Sequence, residues 1–300
     1  MVSKKSLVRA SLVLTGLVSA FTPACDCGGG GATSDAGTRR DAFVQSDTQA
    51  PIDAFRSDTP PRPPPDIRVV ITGDNAYGFG FGPVGSLSNY YDGYAATLAG
   101  EIFNCSQSCA MGETCAVGTC DAFGTCNEDG NGAETFVVPG TGASAEDYLY
   151  IVAWSDDSVT QGVIGQFVAD GVGTNYFTGA GGWEVCATGM NFDTDTAPSR
   201  ALIESQLTVC NGGGGVSAGW VNQVGRAGRA LVVGEANDPT PGGSFPPICT
   251  AGRGDSIGSE ARWIWYDGDT SSGGDPFRSS DSSGGGEFLI FRLQVGELLL

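Results

Sequence analysis

The side chains able to do chemistry in this 300-residue chain are carboxylates and thiols, because it has no histidine and its only lysines are Lys4 and Lys5. That removes Ser-His-Asp and Cys-His nucleophile systems, Ser-Lys dyads, Schiff-base chemistry and imidazole metal ligation. Paired carboxylates remain, and with them glycoside hydrolysis, which needs two acids facing one another about 5 to 10 Å apart. Asp156, Asp157 and Glu184 are available for it, yet their spacing nominates no pair.

Carboxylates also bind calcium. In "NEDGNGAE", Asn127, Asp129 and Asn131 precede Gly132 like the first half of an EF-hand loop, but the twelfth position, where a bidentate acid belongs, is Val138. Asp193 with Asp195, and Asp267 with Asp269, are two further oxygen-rich segments and calcium candidates. The plainer reading is that Asp and Asn mark β-turns there. No other cofactor is expected.

Gly80, Gly82 and Gly85 stand as G-x-G-x-x-G, the spacing that cradles a dinucleotide pyrophosphate where a strand leaves for a helix. Here Tyr77, Phe79 and Phe81 alternate with Gly78, Gly80 and Gly82, which is strand periodicity, and no βαβ unit follows. The glycines read as a bare strand face that lets another segment pack closely, so no nucleotide is expected.

Cys105, Cys109, Cys115, Cys120, Cys126, Cys186, Cys210 and Cys249 form an even set and read as four disulfides of an exported protein. Two should close within Cys105–Cys120, leaving Cys126, Cys186, Cys210 and Cys249 to tie the main fold. A zinc site is the rival, but a C-x2-C pair and histidine are both missing. Lys4, Lys5 and Arg9 precede an apolar run from Leu12 to Phe21, the layout of a secretory signal over residues 1–24. "TPAC" before a Gly-rich stretch makes Cys25 the expected lipidated residue, with Cys27 left over; free secretion is the alternative. Residues 25–66, with Asp35, Asp41, Asp47 and Asp53 at even spacing and a proline-rich end, read as a solvated linker. The expected location is the outer membrane or cell surface, with membrane contact only through the lipid. A net charge of −19 argues against nucleic acid as partner.

Residues 67–300 must position whatever site exists. Runs such as "IRVVITG", "DYLYIVAWS", "ARWIWYDGD" and "EFLIFRLQVG" are β-branched and aromatic, of strand length, and bounded by turn formers. One helix is expected in "TAPSRALIESQLTVCNGG", with Thr196 as cap and Leu202, Ile203, Leu207 and Cys210 at helical spacing. The fold class is therefore all-β: a jelly-roll-type antiparallel sandwich with a cysteine-rich insertion at 104–127 and at most one short helix. "VVITGDNAYGFGFG", "EDYLYIVAWSD", "GWEVCATG" and "ARWIWYDGD", in that order, resemble the galactose-binding-type jelly roll found as an accessory domain in bacterial rhamnosidases and in exported surface proteins. The resemblance implies a β-sandwich that binds glycans or packs on a neighbour. Of the five tryptophans, Trp263 and Trp265 share one face of a strand and are the ligand-binding candidates, since aromatic rings stack on sugars. "GRGDS" at 252–256 is a chance match. The expected function is non-catalytic recognition of an extracellular carbohydrate or surface protein. The alternatives are a carboxylate-dependent glycoside hydrolase and a structural envelope component without ligand.

Overall fold

A computed structural model describes residues 64–74, 76–91, 114–115, 118–119, 133–155, 159–191, 197–239, 243–248, 257–278 and 287–300. They lie in the second of two units, Met1–Asp58 and Thr59–Leu300. The expected leader, the expected lipidation residue Cys25 and most of the expected linker fall outside the described residues. So do Cys105, Cys109, Cys120, Cys126, Cys249 and the side chain of Cys115.

In chain order the elements are β1 (Ile67–Asp74), β2 (Ala76–Gly82), β3 (Asn89–Tyr91), β4 (Thr114–Cys115), β5 (Gly118–Thr119), β6 (Glu134–Val138) and β7 (Tyr148–Trp154). There follow β8 (Gly162–Ala169), β9 (Asn175–Phe177), β10 (Glu184–Asn191), α1 (Arg200–Asn211), β11 (Ala230–Ala236), β12 (Arg262–Asp267) and β13 (Glu287–Gln294). The first sheet runs β11-β12-β8-β1-β6, with β9 also on β8, and the second runs β10-β13-β7-β2-β3. All their pairings are antiparallel. The chain changes sheet between β1 and β2, β3 and β6, β6 and β7, β7 and β8, β9 and β10, β10 and β11, and β12 and β13, so the expected all-β sandwich is what forms. The short pair β4–β5 is what is described of the cysteine-rich segment.

Alternation explains the two cores. Leu149, Ile151 and Ala153 of β7 and Leu289, Phe291 and Leu293 of β13 point between the sheets, where they meet Val69, Ile71 and Phe167 of the first sheet. The intervening residues Tyr150, Val152, Phe288 and Ile290 form a second apolar cluster with Ile203 and Leu207 of α1. The second sheet is thus apolar on both faces, and the helix covers its outer one. The cap of α1 is Ser199, whose Oγ accepts the Leu202 N–H at 3.3 Å, and not Thr196. Pro198 lies just before the cap, and Ser199, extended at ψ 150°, turns its hydroxyl onto the free N–H.

The glycines of β2 do what their period indicates. Tyr77, Phe79 and Phe81 point into the main core, while a Cβ on Gly78 would lie 2.5 Å from the Tyr90 hydroxyl and 2.9 Å from Val152 Cγ2. One on Gly80 would lie 2.9 Å from the Asn89 carbonyl oxygen. The bare face is needed for the chain at 86–90 to lie against the strand, and the described residues directly after it, 83–91, hold no helix. Gly78→Ala is expected to destabilise the domain by about 1–3 kcal/mol through overpacking, read as a lower denaturant midpoint at unchanged slope.

Candidate functional site

One row of side chains crosses the outer face of the second sheet. Glu184 on β10 faces Arg292 on β13, Arg292 faces Tyr150 on β7, and Tyr150 faces Gly80 on β2. Strand alternation puts Arg292 on the opposite face from Phe291 and Leu293, so it emerges where the helical cover ends. Its Nε and Nη2 hold Glu184 Oε2 at 2.7 and 2.6 Å, and Nη1 donates to Asn211 Oδ1 at 3.1 Å. Two rings take its flat faces: Trp220 with its centroid 3.9 Å from the guanidinium carbon, and Tyr148 at 4.7 Å. The indole N–H of Trp220 donates to the same Asn211 Oδ1 at 2.8 Å. Tyr148, Arg292 and Trp220 therefore make a ladder of planar groups fixed by Glu184 and Asn211.

Three devices hold that ladder. The disulfide Cys186–Cys210 joins β10 to α1 immediately beside Asn211. Asn211 Nδ2 also donates to the Val84 carbonyl at 2.6 Å, and the Tyr150 hydroxyl to the neighbouring Pro83 carbonyl at 2.9 Å. The loop after α1, "GGGGVSAGW", then lies along the edge of β10: Val216 N–H reaches the Ala187 carbonyl at 2.9 Å, and Val221 exchanges backbone bonds of 2.8 and 2.9 Å with Val185. That path needs left-handed backbone at Gly213, Gly215 and Gly219 and, unusually, at Ala218 with φ 56°. Gly215 is also pressed onto the Ala187 carbonyl, where a Cβ has no room. The loop delivers Trp220 to Arg292 half-buried.

The sequence candidates fare differently. Trp263 and Trp265 are both fully buried: Trp263 stacks on Phe245 with centroids 3.9 Å apart, and Trp265 packs on Phe291 between the sheets. The assignment of these two as a binding face is corrected, because the face they share looks into the sandwich, where Trp265 meets Phe291, and Phe245 closes over Trp263. Asp267 Oδ1 accepts the Asp269 N–H at 2.8 Å, and Asp269 Oδ1 accepts the Ser271 hydroxyl and N–H at 2.5 and 3.1 Å. Those Ser271 bonds, the hydroxyl first, hold the Asp269 carboxyl below its usual range. The pair closes a turn. Among the described residues no three His, Cys, Asp or Glu side chains gather as a metal group. Asp193, Asp195, Asp156, Asp157, Asn127, Asp129, Asn131 and the GRGDS segment lie outside the described residues, while Val138 is buried in β6. Glu184, considered above as a hydrolytic acid, is the partner of Arg292. Trp220 carried no strand signal; what pointed to it was one indole in a glycine-rich loop directly after the helix.

No protein family, no curated protein and no solved structure matches the chain.

Two outcomes test the construction of the ladder. Burial holds the Tyr150 hydroxyl well above its ordinary value near 10, against the opposing pull of Arg292. A raised pKa gives stability that is complete below the unfolded value and is lost as pH rises through the folded one. Stability should therefore fall above about pH 10, and Tyr150→Phe should flatten that alkaline slope in denaturant titrations while costing about 1 kcal/mol at neutral pH for the lost bond to Pro83. The double change Cys186→Ala with Cys210→Ala opens a loop of sequence separation 24 and should cost about 3 kcal/mol, read as a lower melting temperature that reducing agent no longer affects through this bridge.

Proposed function

We propose that the chain is a non-catalytic surface protein, tethered to the membrane through Cys25, whose galactose-binding-like sandwich recognises an extracellular carbohydrate at the Tyr148–Arg292–Trp220 ladder. The observation that carries this reading is the half-buried Trp220 ring, held by Arg292 and Asn211 beside Glu184 on an outer sheet face. An indole stacks on the apolar face of a sugar ring, and a carboxylate, an amide and a guanidinium within reach supply directional bonds for its hydroxyls. The same arrangement does not serve hydrolysis, because Glu184 shares its charge with Arg292 in place of facing a second acid across a gap. Display also fits an exported, spacer-borne fold whose chain lacks histidine.

The test is a glycan array probed with the leaderless chain, with and without calcium. Selective binding is expected, and Trp220→Ala should weaken it at least about tenfold, the loss of a stacking contact, while the domain still unfolds in one cooperative transition at a midpoint lowered by the lost contacts with Arg292 and Asn211. Trp263→Ala should instead cost about 3–5 kcal/mol of stability as a core deletion. An array without signal, beside a protein captured at the same ladder, would replace the carbohydrate by a protein partner. Hydrolysis of a bound glycan, abolished by one carboxylate-to-amide change, would establish the enzyme.

A further inference from the structure

We propose a second binding site, separate from the ladder, at the turn Arg226–Arg229: a pocket that takes an oxyanion, which on the carbohydrate reading above is carried on a sugar, as the carboxylate of a uronic acid or a sulfate ester. The pocket has a volume of about 330 Å³ and is lined by residues 223–230 and Thr270. That is the small end of the roughly 300–1,000 Å³ range of ligand sites, enough for a single acidic sugar.

Three observations carry the inference. The first is charge. Arg200, Arg278 and Arg292 pair with Glu204, Asp275 and Glu184, whereas Arg226, Arg229 and Arg262 pair with no carboxylate among the described residues, and the first two of these line one pocket. In a chain of net charge −19, two arginines at one pocket without an ion pair among the described residues stand out, although Asp269 lies next to the lining residue Thr270. The second is orientation. One Nη2 bond from Arg226 to the Ala218 carbonyl fixes that guanidinium and leaves most of its donors for a ligand. A guanidinium fork matches the geometry of a carboxylate or sulfate, and Val224, 92% exposed, adds an apolar rim for the ring.

The third is strain within a rigid frame. Arg226 and Arg229 exchange backbone bonds of 2.7 and 3.1 Å, with Ala227 at φ 54° and Gly228 at φ 79° between them. Such a turn favours Asn or Gly at both positions, so alanine at the first adopts a costly conformation that its surroundings must enforce. They do. The Asn222 carbonyl accepts Gly225 N–H and Leu231 N–H at 3.0 and 3.1 Å, Thr270 N–H holds the Gly228 carbonyl at 2.9 Å, and Gln223 Nε2 reaches the carbonyls of Gly179 and Ala180 at 3.1 Å. The backbone that carries both arginines is thus fixed, which lowers the ordering cost of binding.

The experiment is an NMR titration of the leaderless chain, following the amides of Gly225, Gly228 and Arg229, with sodium glucuronate, glucose 6-sulfate and, as the neutral control, glucose. Saturable shifts with one or both acids and none with glucose are expected, weakening as salt is added. The acid that saturates first identifies the anion. Arg226→Gln with Arg229→Gln should weaken binding at least about tenfold. Arg229→Gln alone leaves the Arg226 bond to Ala218 in place, so it guards against a loop that merely loosens, and it should still weaken binding measurably. Unmoved amides with both acids, or equal shifts in the double variant, would overturn the site. Trp220→Ala should leave these shifts unchanged, so failure of the ladder as a glycan platform and failure of this pocket are separately visible.

Discussion

Strands β7 and β13 are apolar on both faces, and the need to cover the second of those faces organises everything outside the sandwich. Between the sheets the problem solves itself, since Leu149, Ile151, Leu289 and Phe291 meet the other sheet. On the outer face Tyr150, Val152, Trp154, Phe288 and Ile290 have no sheet to meet, and an exposed apolar band of that size would cost stability and invite association. Helix α1 supplies Ile203 and Leu207 against it, at the four-residue spacing that puts both on one side. A helix of 12 residues covers only part of a sheet, so the chain from Gly212 to Val221 must finish the work along β10.

The ladder lies where that cover runs out. Arg292 and Tyr148 continue the outer rows of β13 and β7 past the end of α1, and the positions there carry planar amphipathic groups in place of aliphatic ones. A guanidinium has two faces that accept rings and an edge that donates, so Arg292 can close an apolar layer and still pair with Glu184. Lysine would not do this. The exchange is reflected at the helix base, where Glu204 accepts the Leu87 N–H at 3.0 Å and Arg200 binds the Leu87 carbonyl, fastening the loop at 83–88 to α1 from the other side. The Leu87 N–H and then Arg200 hold the Glu204 carboxyl below its usual range.

The architecture was legible in the sequence because strands announce themselves locally. β-branched runs with turn formers at their ends, and the aromatic–glycine alternation of β2, follow from neighbours within a few residues. The buried face of α1 was legible for the same reason, although its start was misplaced by three residues since Thr196 and Ser199 both satisfy the local rule. The site was not legible in that way. Alternation told Trp263 and Trp265 apart from Ile264 but could not tell which face Phe245, 18 residues before Trp263, would seal. Trp220 gained its meaning from Arg292 and Asn211, 72 positions ahead and 9 behind, contacts that no local pattern encodes. The disulfide is intermediate: Cys186 and Cys210 belonged to the expected group of four, and their pairing needed the helix to be placed on the sheet.

Rigidity is the property that these features share, and it bears on what such a surface is good for. Trp220 sits on a loop rich in glycine, which free in solution would sample many conformations and lose much entropy on binding. Here that entropy is given up on folding, through the Val185–Val221 exchange, the Val216 bond to Ala187 and the disulfide next to Asn211. A ring already fixed against Arg292 can meet a ligand without further ordering, so a small contact area suffices for selective binding. The strained alanines point the same way. Ala218 and Ala227 both hold left-handed backbone, and Arg226 ties one to the other, so the segment from Gly213 to Arg229 behaves as one braced loop joining the two surfaces considered for ligands.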